Sequence, residues 1–293
     1  MCLETKYYYL RISDFLKTGL FEMKTPYHFH GGNSPLFISM PHAGTTIPQH
    51  IARDMTPYAL QRPDVDWHLP VLYDMAQACD ASVLCAEYMR YVIDLNRSPE
   101  DTNLYPGQDT TGICPLDTFA KQPIYQEGRS PGTAEMQSRI ARYWQPYHDQ
   151  LQSELNRIRA IHGVAVIWDA HSIASQVPRF FAGQLPDLNF GTADMQSCDV
   201  SLQQTLAATM HDSIHAKAYS HGFNGRFKGG HITRQYGMPE HNIHAVQLEM
   251  SQRVYMNEEP PYAYEPDLAK LVQPLLSDLL EACKTWARLH KQS

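Results

Sequence analysis

Two apolar runs in the chain each give way to a histidine among small residues: Pro35-Leu-Phe-Ile-Ser-Met-Pro-His42-Ala-Gly44 and Gly163-Val-Ala-Val-Ile-Trp-Asp169-Ala-His171-Ser172. Short continuous apolar stretches bounded by turn residues predict buried strands. After Asp66, apolar residues at Trp67, Val71, Leu72, Met75, Ala76 and Cys79 recur at helical spacing, behind an acid suited to cap a first turn. Ser82–Ala86 and Arg90–Leu95 read as two further β-rich runs, and residues 98–131, rich in Pro, Gly, Asp and Thr, as one long loop of the kind that walls a substrate site. From Met136 to Ile161 the apolar positions mark a long amphipathic helix that feeds into the strand ending at His171. A strand over His244–Glu249 and a terminal helix over Pro266–Arg288 complete the pattern. Strands alternating with helices predict an α/β layered fold.

The length of 293 residues and the 43% apolar content allow one large core, expected as a single domain over 26–293 behind an N-terminal extension at 1–25. The 24 Lys and Arg against 31 acids give a net charge of −7 without long runs, which excludes nucleic acid as the expected partner. An anionic substrate must then meet locally placed arginines. The six cysteines form no CxxC pair or disulfide spacing and read as free thiols of a reducing cytoplasm. No apolar stretch approaches membrane-spanning length, so a cytoplasmic protein is expected.

Strands that end in histidines change the picture, because α/β proteins assemble sites where strands give way to loops. A hydrolytic zinc site needs about three protein ligands and an open position. His42, Asp66 and His171 fit that inventory, with Asp64 as a rival acid and Asp169 as an outer hydrogen-bond partner. Each also has a plain structural use, as a hydrogen-bonded histidine or a helix cap. In Arg90-Tyr-Val-Ile-Asp94-Leu-Asn96-Arg97, planar guanidinium groups could grip a carboxylate, or Asp94 could simply pair with an arginine. Glu249, at the end of an apolar run, is a candidate general base and acid, and Tyr255 a possible donor or a packing aromatic. The glycine-rich Asn224–Arg234 stretch lacks nucleotide-binding spacing, and its Arg234 and His231 are weaker substrate-binding candidates.

Six runs together resemble one family: SMPHAG at 39–44, DVDWHLPVLYD at 64–74, RYVIDLNRSPED at 90–101, IWDAHS at 167–172, NGRFKGGHITRQYG at 224–237 and VQLEMSQRVYM at 246–256. In this order they are similar to the N-formylglutamate amidohydrolases, also called N-formylglutamate deformylases. The resemblance implies a mixed central sheet flanked by helices, similar to the zinc carboxypeptidases. It also implies a cytosolic hydrolase with a divalent metal, most readily Zn2+, splitting the dianion N-formyl-L-glutamate into formate and glutamate at the end of histidine degradation. That wider group often takes two ligands from a His-x-x-Glu run, whereas Thr45 stands here three residues after His42, so the acid must come from elsewhere, with Asp66 the choice. The DLNR run at 94–97 resembles the carboxylate-binding element of aspartoacylase-type amidohydrolases. The roles implied are ligation by His42, Asp66 and His171, proton transfer by Glu249 and oxyanion stabilisation by Arg90. Asn96, Arg97, Arg234 and His231 would bind the substrate carboxylates. The alternatives are a related amidohydrolase for another N-acyl amino acid and a non-catalytic metal- or amino-acid-binding protein.

Overall fold

The structure, a computed structural model, describes residues 25–102, 107 and 109–290. At its centre lie the runs Leu36-Phe-Ile-Ser-Met40, Ala165-Val-Ile-Trp-Asp-Ala-His-Ser-Ile173 and Ile243-His-Ala-Val-Gln-Leu-Glu-Met-Ser251, which form β2, β4 and β7 and are buried along their whole lengths. Strands covered on both faces have no solvent side to alternate toward, which is why they read as nearly continuous apolar runs. With β1 (Tyr27–His30), β3 (Ser82–Ala86), β5 (Leu188–Gly191) and β6 (His221–Phe223), they make one seven-stranded sheet in the order β1-β3-β2-β4-β7-β5-β6. β3, β2, β4 and β7 run parallel, while β1 joins β3 and β5 joins β7 antiparallel, so the sheet is mixed.

The short helices α1 (Gln49–Ala52) and α2 (Leu69–Leu72) lie in the β2–β3 connection, and α3 (Thr133–Arg139) opens the long helical run before β4. A π-helical segment, Ile140–Trp144, joins α3 to α4 (Gln145–His162). Trp144, Tyr147, Leu151, Leu155 and Ile158 pack on one sheet face against Phe37, Ile167 and Ala245. On the other face, Leu202, Leu206 and Met210 of α5 (Val200–Asp212) and the apolar stripe of the terminal helix cover Leu36, Ile38, Trp168 and Leu248. The six-residue α6 (His231–Tyr236) precedes β7, and the terminal helix α7 spans Pro266–Leu289. The α/β class and the mixed, helix-flanked sheet are as expected.

Two sequence expectations fail. The helix expected after Asp66 is only the four-residue α2 and a 3-10 turn at Asp74–Ala76: the left-handed His68, at φ 63°, delays its start to Leu69, and Tyr73, at φ −94° and ψ 34°, leaves helical geometry. The β-rich Arg90–Leu95 run is not a strand but a buried, turning segment whose Asp94 N–H bonds to the Ile113 carbonyl at 2.7 Å. Its side chains are apolar because it is buried, and burial alone does not distinguish a strand from a core-threading turn. The 98–131 loop does lack helices and strands among its described residues. The extension at 1–25 lies outside the described residues except for Thr25.

Helix α4 also secures that turning segment. His148 Nε2 lies 2.9 Å from the Leu95 carbonyl and Nδ1 2.8 Å from the Tyr236 hydroxyl, which fits a neutral ring donating from Nε2. Burial, helped by His231, pushes His148 down to about 3, and burial likewise pushes His244 down to about 4. Unfolded histidine takes up a proton near pH 6.5. The stabilisation from these neutral rings is therefore complete above pH 6.5 and is lost as pH falls toward 4 and then 3. Urea unfolding should show a loss of about 2 kcal/mol per ring between pH 7 and pH 5. His148→Gln should lower stability at pH 7 yet flatten this slope, and an undiminished slope would show that His148 is not one of the titrating groups.

Candidate active site

The carboxyl ends of β2, β4 and β7 lie side by side, and the parallel register sets His171 directly opposite Glu249. Two residues beyond β2, His42 enters a turn that closes on Gly44. A Cβ there would stand 2.4 Å from the Tyr88 carbonyl oxygen, so the close approach of the two backbones requires glycine. Asp66 comes from the loop ahead of α2, and its N–H donates to the His42 carbonyl at 3.1 Å, fixing the two ends of this constellation to each other.

The ligand-capable atoms of His42, Asp66 and His171 all lie within 4.8 Å of one another, and all three residues are buried. Asp66 Oδ2 is 3.1 Å from His171 Nδ1 and 3.9 Å from His42 Nδ1, so both rings turn the same nitrogen inward. The outer nitrogens meet carboxylates: His42 Nε2 lies 2.7 Å from Asp94 Oδ1 and His171 Nε2 3.3 Å from Asp169 Oδ2. Carboxylates behind ligand imidazoles orient the rings and strengthen them as donors. Two imidazoles and a carboxylate converging in a buried site fit a divalent cation. Asp64 does not join them: it accepts from the Tyr91 hydroxyl and from the Phe119 N–H at 2.8 Å, and burial pushes it up to about 6.

Charge in this cluster is strongly redistributed. Burial pushes His42 down, with Arg90 acting the same way, whereas Asp169 and Asp66 outweigh burial at His171 and push it well up. Despite complete burial, Asp94 is held well below the usual carboxylate range by Arg90 and His42. Arg90 bonds Asp94 Oδ2 at 2.7 Å, while its buried Nε has no hydrogen-bond partner among the described residues. A buried donor of this kind marks a position suited to an incoming acceptor.

Burial, reinforced by Asp66 and Asp169 and opposed by His171 and Arg90, pushes Glu249 up to about 8. Gln247, two residues earlier and on the same strand face, donates to Glu249 Oε2 at 3.3 Å and accepts the Gly230 N–H at 2.8 Å. This amide fixes the carboxyl. Asn96 is similarly committed, with Nδ2 2.9 Å from His171 Nε2 and Oδ1 accepting the Ile232 N–H at 2.8 Å. A Cβ on Gly230 would stand 2.4 Å from Asn96 Nδ2, so this glycine admits the Asn96 amide.

Beside the cluster opens a narrow cleft of about 80 Å³ whose lining includes His42, His171, Glu249, Arg90, Asn96 and Arg97. Arg97 is braced by its Nε–H bond to the Thr111 carbonyl at 3.0 Å. The sequence also pointed to Arg234 and His231, and neither lines this cleft. Arg234 donates to the Gly229 carbonyl at 2.9 Å, and the His231 ring packs against the stacked pair of Trp144 and His148. Both sit on α6, whose first N–H, that of His231, bonds to the Asn96 carbonyl at 3.3 Å. Tyr255 is committed elsewhere, to the Trp67 carbonyl at 2.9 Å and Ser172 Oγ at 2.7 Å. Among the residues the sequence did not point to are Arg226, Phe119, Phe180 and Phe227 in the lining, Gln247 behind Glu249, and Asp94 in its position behind His42. The alternation of Gln247 with Glu249 on one strand was the available signal.

A family model described as N-formylglutamate amidohydrolase matches residues 34–256, a span that contains every residue of this cluster and cleft. The chain belongs to the N-formylglutamate amidohydrolase family. Two curated relatives of this family member are the N-formylglutamate deformylases of Pseudomonas putida and Pseudomonas aeruginosa. The first is 47% identical over 258 residues, covering 88% of this chain and 95% of that protein. The second is 46% identical over 260 residues, covering 89% and 96%. Among solved structures, the N-formylglutamate amidohydrolase of Ralstonia eutropha superposes with a TM-score of 0.76 at 24% identity, covering 90% of this chain and 99% of that one. A gene product of Agrobacterium tumefaciens gives a TM-score of 0.67 at 15% identity, covering 89% and 96%. These two likenesses are of fold.

Proposed function

We propose that this amidohydrolase cleaves N-formyl-L-glutamate to formate and L-glutamate, with a divalent cation, zinc by its donor set, held by His42, Asp66 and His171. The observation that carries this reading is the joining of an N,N,O donor cluster to a buried carboxyl and an arginine-lined cleft, in a chain 47% identical to a deformylase. A bound cation of this class polarises a carbonyl and acidifies water. Glu249 takes the proton of the attacking water as its oxygen bonds to the formyl carbon. It then returns that proton to the glutamate nitrogen as the C–N bond breaks. Arg90, which lines the cleft, supplies a guanidinium donor to the carbonyl oxygen where negative charge develops. Asn96 and Arg97 hold the carboxylate next to the reacting amide.

Side-by-side turnover of N-formyl-, N-acetyl- and N-succinyl-L-glutamate and of N-formyl-L-aspartate tests this choice. Formylglutamate should give the highest kcat/KM, and preference for a larger acyl group would replace the substrate while leaving the reaction class. No helix of the described residues is long and apolar enough to cross a membrane. Action in the cytoplasm, at the end of histidine degradation, is part of the same proposal.

A further inference from the structure

Formylglutamate carries one carboxylate a single bond from the carbon that bears the reacting amide and a second carboxylate three bonds away, beyond two methylenes. A site that reads both needs cationic groups at two depths with apolar surface between them. Arg90 stands beside the histidine cluster, bonding Asp94, which holds His42, and Arg97 is held in the cleft wall by the Thr111 carbonyl at 3.0 Å.

Arg226 lines the cleft from a different element, the loop between β6 and α6. Its Nε–H donates to the Phe180 carbonyl at 2.6 Å, which sets the plane of the guanidinium. The Phe180 and Phe227 rings flank it, at 5.5 and 5.4 Å from the guanidinium carbon. Phe119 meets Phe180 edge-on at 4.9 Å, and all three rings pack on the small apolar cluster of Ile173, Val177 and Leu185. The cleft is therefore lined by the histidine cluster, by aromatic surface and by a braced guanidinium.

We propose that Arg226 binds the distal carboxylate and makes the enzyme selective for dicarboxylate N-acyl amino acids. The inference rests on the proposed function and deepens it. Phe119, Phe180 and Phe227 face the methylenes, and the guanidinium, lying among aromatic rings, loses less to solvent than an exposed one. A planar fork binds both carboxylate oxygens, whereas a neutral amide in their place leaves donors of the fork facing donors.

The test compares kcat/KM for N-formyl-L-glutamate and N-formyl-L-glutamine, two substrates of nearly equal shape, in wild type, R226Q and R226K. Wild type should prefer formylglutamate by about 100-fold or more, since a site built for a polar group rejects the analogue that lacks it. R226Q should lose most of that preference through a rise in KM for formylglutamate, with formylglutamine turnover falling far less. R226K, which keeps charge without the fork, should fall between the two. Wild-type preference retained in R226Q, or equal losses on both substrates, overturns the assignment. Wild type that releases formate from neither substrate overturns the proposed function itself.

Discussion

Asp66→Ala should lose its divalent metal and its formate-releasing activity together. Asp66 supplies the carboxylate toward which both inward ring nitrogens turn, and its Oδ2 also accepts the Ser172 N–H at 3.1 Å. Loss of an outer partner of a ligand typically costs about 10- to 100-fold in metal affinity or activity, so loss of the ligand itself should exceed about 100-fold. Asp94→Asn, one step outward, supplies the internal scale. It removes a charge from behind His42 but leaves every inner donor, and a loss within the 10- to 100-fold range is expected. The two variants are compared by metal content after dialysis against a competing chelator and by formate release. Wild-type metal affinity in Asp66→Ala would remove Asp66 from the ligand set.

Glu249→Gln is the second large effect, and it separates from the first because metal should remain. The amide keeps the shape of the side chain but cannot accept the water's proton, so kcat should fall by about 10² to 10⁴ while KM changes little. Its expected pH signature has a definite sign. The base works only when deprotonated, and in the cation-free protein burial pushes Glu249 up to about 8. Activity should therefore rise with pH through the ionisation of Glu249, and a bound cation favours the carboxylate and moves that rise to lower pH. This limb should be absent from the residual activity of the variant. Full activity in metal-loaded Glu249→Gln would end the base assignment.

Strand interiors and the residues at their ends were readable in the sequence because they obey short-range rules. Buried parallel strands show as apolar runs, and the positions at which those runs stop led to His42, His171 and Glu249 without any contact information. Asp66 needed the family likeness, since nothing local separates it from Asp64. What separates them is long-range: Asp64 meets Tyr91 and Phe119, while Asp66 meets His171 and Ser172. The turning segment at 90–95 misled because its apolar side chains report burial, while its path is set by bonds to Ile113 and to His148 on α4. In the Asn224–Arg234 stretch, Gly230 permits a close approach that no local pattern specified. The partner is the Asn96 amide; in the same stretch Arg226 lines the cleft, while Arg234 and His231 lie outside its lining.

The most direct test of the central claim strips divalent metal from the purified protein, restores zinc at one equivalent per chain, and follows formate release from N-formyl-L-glutamate. Inactive metal-free protein that regains formate release in proportion to bound zinc is the expected result. Undiminished formate release from metal-free protein in the presence of chelator, or zinc bound at His42, Asp66 and His171 with no formate formed, would contradict it.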